Sequence, residues 1–121
     1  MTKARRSPSD RGLGVVVAGY ALVRVRGTSM EPTLRDGNLL VVRAGARTAA
    51  GDLVVVRLPG REGLAVKRAV RLDADGWWVE RDNPRAGVDS WAVGAIAGDD
   101  VVARVLTRLW PPRRIQPSRR L

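Results

Sequence analysis

Short apolar runs, many of them rich in valine, alternate with polar turns over most of this chain of 121 residues. In the first run, Ala21, Val23 and Val25 alternate with arginines, which is the period of a half-buried strand. Valine also favours strands over helices. The runs predict seven strands: Ala21–Arg26, Leu39–Arg43, Leu53–Leu58, Leu64–Leu72, Trp77–Glu80, Ala92–Ala97 and Val101–Leu109. Short strands at such close intervals predict an all-β domain, a compact barrel or sandwich of antiparallel strands.

One segment, from Ser29 to Leu34, interrupts the strand pattern. Pro32 fits the first turn of a helix, and a serine before it fits the N-cap position. We therefore predict one short helical turn here, directly after the first strand and the Gly27-Thr28 pair that ends it.

The chain has the length of a single domain. Residues 1–11 are polar and basic, so we expect a disordered arm there. The folded part is expected to cover residues 12–110, and residues 111–121 form a basic tail that begins with two prolines. The pattern does not indicate what the apolar stretch Leu13–Gly19 packs against.

Most of the positive charge lies at the two ends of the chain. The formal net charge is +10, and residues 1–11 and 104–121 supply nine of these charges. A nucleic-acid-binding domain usually carries a basic patch with interleaved aromatic residues on its folded face. The nearly neutral body argues against nucleic acid as a partner, and the basic ends predict only weak contacts with anionic surfaces.

Two missing residue types exclude several kinds of site. The chain contains no histidine, which excludes a Ser-His-Asp triad and any histidine metal site. It contains no cysteine, which excludes a thiol nucleophile, a disulfide and a zinc-thiolate cluster. We therefore expect a site that works with neither a metal nor a cofactor.

The longest uncharged apolar run, Leu13 to Val23, has 11 residues. A helix that crosses a bilayer needs about 20 apolar residues. The sequence therefore predicts no transmembrane segment, and we expect a soluble protein in the cytoplasm.

Lys67 is the one lysine of the predicted body, because the chain has two lysines, Lys3 and Lys67, against twenty arginines. Arginine keeps its proton in proteins, whereas a desolvated lysine can lose it. The apolar residues Leu64–Val66 precede Lys67 and favour such desolvation. Lys67 is thus a candidate for a neutral amine base, and the alternative is an ordinary strand lysine whose amine reaches water.

Ser29 and Ser90 are the two serines within residues 12–110. Ser29 lies where a strand meets the predicted turn, a place that exposes a hydroxyl next to free backbone N–H groups. Such groups can stabilise an oxyanion, although a plain N-cap serine would occupy the same position. One lysine and one turn serine are what Ser-Lys nucleophilic catalysis requires, with Ser29 as nucleophile and Lys67 as general base.

Three segments resemble the conserved boxes of type I signal peptidases, in the same order, over a stretch from about Val23 to Val102. Some members of the wider superfamily, the LexA-type repressors, share the Ser-Lys pair. The matching segments are Gly27–Leu34, Val66–Val70, and Asp82–Pro84 followed by Asp89, Ser90 and Gly94.

The resemblance implies a signal-peptidase-like β-rich domain in which Ser29 and Lys67 are catalytic. It also implies supporting roles around the oxyanion site and the base for Gly27, Thr28, Met30, Asp89 and Ser90.

This sequence departs from the resemblance at three positions. Gly27 stands where some relatives add a serine hydroxyl to the oxyanion hole, so backbone N–H groups are expected to serve there. Gly87 stands where a serine usually orients the lysine, and Trp91 stands where an arginine usually pairs with Asp89. We therefore expect Ser90 or a backbone group to hold Lys67.

The sequence also predicts no membrane anchor of the kind typical of signal peptidases, which directs the resemblance towards the small soluble peptidases that mature nickel superoxide dismutase. That likeness implies a precursor protein as partner, the nickel superoxide dismutase precursor, from which a short leader is removed. Two alternatives stay open: processing at a membrane in the manner of signal peptidase I, and a non-enzymatic β-barrel binding module.

Overall fold

Six antiparallel strands form one sheet in the part of the chain that the computed structural model describes, residues 13–112. Along the sheet the strands follow the order β1-β2-β6-β3-β4-β5. The predicted arm over residues 1–11 lies outside the described residues, as does the predicted tail apart from its first two residues. The strands are β1 (Tyr20–Arg24), β2 (Leu39–Ala44), β3 (Leu53–Val56), β4 (Ala65–Asp73), β5 (Gly76–Glu80) and β6 (Val101–Trp110).

The all-β prediction is confirmed, and one predicted strand is wrong. Instead of a strand over Ala92–Ala97, the chain forms a short helix, α1 (Ser90–Val93), and a 3-10 turn at Gly98–Asp100. The cause of the helix is local. The Asp89 side chain accepts a hydrogen bond from the Trp91 N–H at 3.0 Å and caps the helix. The predicted strand shrinks to an isolated bridge between Ile96 and Trp77.

The segment after Gly27 forms two hydrogen-bonded turns rather than a regular helix. The Glu31 N–H donates to the Thr28 carbonyl at 3.1 Å, and the Leu34 N–H donates to the Met30 carbonyl at 2.9 Å. Only the second bond has the spacing of an α-helix. The predicted helical turn is therefore present as one turn of helical spacing.

Strand β3 is buried on both faces and separates two apolar clusters. Leu53 and Val55 join a cluster built mainly by β1, β2 and β6, whereas Val54 and Val56 join one built by β4 and β5. A strand covered on both faces must be apolar at every position, which explains the run Leu53–Val56. In register, Val54 faces Lys67 of β4, so the fold places this lysine beside the core.

The apolar stretch before β1 packs on the first of these clusters. Leu13 is buried in that cluster and Val16 packs against it. Val17 and Tyr20 then exchange two backbone hydrogen bonds of 2.9 Å across a two-residue turn. Ala18 and Gly19 occupy this turn with φ of 52° and 85°, the mirror-image conformation that joins hairpin strands tightly.

Candidate active site

Ser29 and Lys67 lie 38 positions apart in sequence, and the fold brings their side chains into direct contact. Lys67 Nζ lies 2.9 Å from Ser29 Oγ. Lys67 is 3% exposed, because β4 runs beside the fully buried β3 and the amine points under the turn that carries Ser29. The two residues that the sequence singled out therefore form a hydrogen-bonded pair with a desolvated amine.

Burial lowers the pKa of the Lys67 amine from its ordinary value of 10.5, because the charged form loses solvation. The Asp89 carboxylate opposes this effect and the Arg81 guanidinium adds to it, each through its charge. A neutral amine offers a lone pair to the Ser29 hydroxyl, so the same contact can carry the serine proton to the nitrogen.

Hydrogen bonds from a neighbouring loop hold the turn that carries Ser29. The Asn83 N–H donates to the Ser29 carbonyl at 2.8 Å, and the Asn83 side-chain amide donates to the Thr28 carbonyl, also at 2.8 Å. Met30 is buried in the core and accepts the Asp82 N–H at its sulfur. Both ends of the nucleophile segment are thus fixed to the chain that follows β5.

A buried ion pair ties the same turn to the strand of the lysine. The guanidinium of Arg68, the residue after Lys67, lies 2.6 Å from the Asp82 carboxylate, and both side chains are almost fully buried. Thr33 donates its hydroxyl to the same carboxylate at 2.5 Å. Because Arg68 and Thr33 share one acceptor, the Ser29 turn and strand β4 cannot shift independently.

Gly87 lies directly against the Ser29–Lys67 pair. A Cβ added at this position would come within 2.5 Å of the Ser29 Cβ and 3.6 Å of Lys67 Nζ. The loop backbone thus occupies the place where the resemblance would put an orienting serine. In this structure the lysine is confined by the close backbone of Gly87 and by the hydroxyl of Ser29.

Asp89 does have an arginine partner, which comes from a position that the sequence comparison did not indicate. The Arg81 side chain lies 3.9 Å from the Asp89 carboxylate, which also accepts the Arg81 N–H at 3.1 Å. The guanidinium further donates to the carbonyls of Gly87 and Pro84. Arg81 therefore fixes the loop that covers the Ser29–Lys67 pair. It also gives Asp89 a positively charged partner, although Trp91 stands where the resemblance places an arginine.

Ser90 has a different partner from the one expected. Its hydroxyl oxygen accepts the Val79 N–H at 2.9 Å, and the side chain is 1% exposed. This bond joins the start of α1 to β5. Within residues 13–112, the hydrogen bond of Lys67 Nζ goes to Ser29 and not to Ser90.

The backbone N–H groups around Ser29 differ in their availability. The Gly27 N–H donates to the Asp36 carboxylate at 2.7 Å and so is occupied. In the described part of the chain, the Ser29 N–H has no protein acceptor. A developing oxyanion next to Ser29 Oγ would find this donor free.

An open cleft of about 830 Å³ leads to the pair. Residues 22–26 and residues 61–67 line it, together with Leu13, Ser29, Met30, Val55 and Arg57. Ser29 and Lys67 both belong to this lining, so a chain lying in the cleft would reach the hydroxyl.

Sequence reasoning missed three features of the site: the Arg81 clamp, the ion pair of Arg68 with Asp82, and the arginines of the cleft. Asp82 lies in one of the matching segments, but nothing in its spacing indicated Arg68 or Thr33 as partners. Arg81 carried no signal because the chain contains twenty arginines.

A serine hydroxyl held against a desolvated lysine, beside a free backbone N–H and an open cleft, is the arrangement of a serine hydrolase that uses lysine as its base. The model of the Peptidase S24-like family matches residues 11–106. The chain belongs to this family, and its kind of function is that of a serine peptidase. A comparison with curated proteins found no match.

No helical segment within residues 13–112 has the length and apolar character that crossing a membrane requires.

Proposed function

We propose that this protein is a serine endopeptidase that uses Ser29 as nucleophile and Lys67 as general base, in the manner of signal peptidase I. The observation that carries the proposal is the 2.9 Å contact between Ser29 Oγ and the amine of a lysine that is 3% exposed. A lysine in water would hold its proton near neutral pH and could not act as a base.

The proposed reaction begins when neutral Lys67 takes the proton of the Ser29 hydroxyl. Ser29 Oγ attacks the scissile carbonyl carbon, and the Ser29 N–H stabilises the oxyanion. Protonated Lys67 passes its proton to the leaving amine, which breaks the peptide bond and leaves an ester on Ser29. Lys67 then deprotonates a water, which hydrolyses the ester and restores the hydroxyl.

We further propose that the substrate is the precursor of nickel superoxide dismutase, from which a short leader is removed in the cytoplasm. The support is the likeness of the three sequence boxes to type I signal peptidases, in a sequence whose longest uncharged apolar run has 11 residues. The Arg- and Ala-rich composition and the run Trp110–Arg114 agree with this proposal.

The test incubates the purified protein with that precursor and measures the intact mass of the products. We expect loss of one N-terminal leader, and the Ser29→Ala protein should leave the precursor whole. An intact precursor would overturn the proposal that this precursor is the substrate. The peptidase function would be overturned as well only if a peptide library digested from a whole proteome also showed no Ser29-dependent cleavage.

A further inference from the structure

The cleft beside Ser29 carries more positive charge than the rest of the described chain. Four arginines line it, at positions 24, 26, 57 and 61, with Glu62 as the one acid. With Lys67 counted as neutral, the lining therefore carries a formal charge of +3. The remaining residues between 13 and 112 carry nine arginines and ten acids, a formal charge of −1. The positive charge of the folded body is thus concentrated where a substrate would lie.

The four arginines are engaged to different degrees. Arg24 donates to the Gly37 carbonyl at 2.8 Å, and Arg57 lies 3.9 Å from Asp100. Arg26 and Arg61 are exposed, and neither forms an ion pair or a side-chain hydrogen bond within residues 13–112. These two guanidinium groups keep their fork of N–H donors for an incoming carboxylate.

The remaining lining of the cleft indicates a peptide rather than a nucleic acid. It includes the apolar residues Leu22, Val55 and Val66 and no aromatic side chain. Grooves for single-stranded nucleic acid combine positive charge with aromatic rings on which bases stack. Apolar walls with fixed positive charges suit an extended peptide whose side chains are partly apolar and partly acidic.

We propose that the cleft selects peptide segments that carry aspartate or glutamate close to the bond presented to Ser29, with Arg26 and Arg61 as the residues that recognise them. This inference rests on the proposed peptidase function, because it names the substrate class of the same site. The cleft concentrates the electrostatic field of its arginines. The preference should therefore raise both the association rate and the affinity of acidic peptides.

The first experiment measures binding to the Ser29→Ala protein, which removes cleavage from the measurement. The probes are two fluorescein-labelled decapeptides of alanine and valine, identical except for three aspartates in one and three asparagines in the other. We expect the aspartate peptide to bind about tenfold more tightly at low salt, and the advantage to shrink in 0.5 M salt, where the screening length is only about 4 Å. Equal binding of the two peptides would overturn the inference.

Matched double variants separate recognition in the cleft from net charge. Arg26→Gln with Arg61→Gln removes two charges from the cleft, and Arg47→Gln with Arg71→Gln removes two exposed charges outside its lining. The first pair should abolish most of the preference and the second should retain it. If the two pairs weaken binding equally, overall charge accounts for the effect and the inference fails.

Cleavage of a proteome-derived peptide library by the wild-type protein provides the second measurement. We expect cut sites that depend on Ser29 to be enriched in Asp and Glu near the cut, relative to uncut peptides. Ser29-dependent cuts without that enrichment would overturn the inference and leave the peptidase function standing. Selective binding of the aspartate peptide without any cuts would support the inference and count against the peptidase function.

Discussion

Gly87 lies so close to Ser29 that a Cβ at position 87 would come within 2.5 Å of the Ser29 Cβ. The φ of Gly87 is +88°, a backbone conformation that residues with a side chain rarely adopt. Two separate constraints therefore require glycine at this position. One is the backbone conformation of the loop, and the other is the space taken by the Ser29–Lys67 pair.

Replacing Gly87 with alanine should reduce activity far more than stability. The new methyl group must displace Ser29, and misplacing a reacting group by about 1 Å can cost about 100-fold in rate. The left-handed conformation adds about 1–2 kcal/mol of destabilisation. Steady-state kinetics on any cleaved peptide and denaturant unfolding measure the two effects separately.

Gly37→Ala is the matched control for this variant. Gly37 also has φ +88°, but an added Cβ there meets nothing within 4 Å. It should lose only the stability that the left-handed conformation costs and keep most of its activity. If both variants lose activity to the same extent, the contact of Gly87 with Ser29 has no functional weight.

The fold class and the pairing of Ser29 with Lys67 could be predicted from the sequence because both leave strong local signals. Valine runs between turn residues indicate strands, and a single body lysine among arginines is conspicuous. The error over Ala92–Ala97 arose because Asp89 caps a helix, a side-chain effect that outweighs a short apolar pattern.

The surroundings of the pair could not be predicted, since they depend on contacts between distant loops. Arg81 approaches Asp89 only because the chain turns back after β5, and Gly87 reaches Ser29 only through that loop. The resemblance indicated that the usual arginine partner of Asp89 and the usual serine that orients Lys67 are replaced by Trp91 and Gly87. It did not show that another arginine and a close backbone take their places.

Replacing Lys67 with arginine should abolish cleavage as completely as replacing it with methionine. Guanidinium cannot release its proton at any working pH, so it cannot act as the base, and the thioether of methionine is not basic enough to accept a proton. Loss of the nucleophile or the base in a serine peptidase costs about 10⁶-fold in kcat. Rates measured with the same peptide should fall by that order in both variants, and appreciable activity of the arginine variant would exclude Lys67 as base.

The rate of cleavage should rise with pH, with a midpoint below 10.5, the ordinary pKa of lysine. Only the neutral amine of Lys67 can accept the serine proton, and burial lowers its pKa, so the neutral form appears at lower pH than for a lysine in water. The pH dependence of kcat/KM measures this directly. A midpoint at 10.5 or above would show that the lysine behaves as if it were in solvent.

The buried lysine should also make stability depend on pH in a defined direction. Between its lowered pKa in the folded protein and 10.5 in the unfolded chain, the unfolded state binds more protons, so the free energy of unfolding rises with pH. Below the folded pKa both states are protonated, and the destabilisation is complete. The wild-type free energy of unfolding minus that of Lys67→Met should therefore increase with pH across this window, and a flat difference would contradict the burial of a titrating amine.

Arg81 should influence both the position of the loop and the pKa of Lys67, and two substitutions separate these effects. The charged groups that act on the amine are Asp89, which raises its pKa, and Arg81, which lowers it. Arg81→Gln removes the positive charge and the donors to the Gly87 and Pro84 carbonyls, so the rise of kcat/KM should move to higher pH and the plateau should fall about tenfold or more.

Arg81→Lys keeps the charge without the fork of donors, so it should retain the wild-type pH midpoint and lose only plateau rate. Arg85→Gln removes an exposed charge from the same loop and should change neither, and a midpoint that stays fixed in Arg81→Gln would show that this guanidinium acts on Lys67 through packing alone.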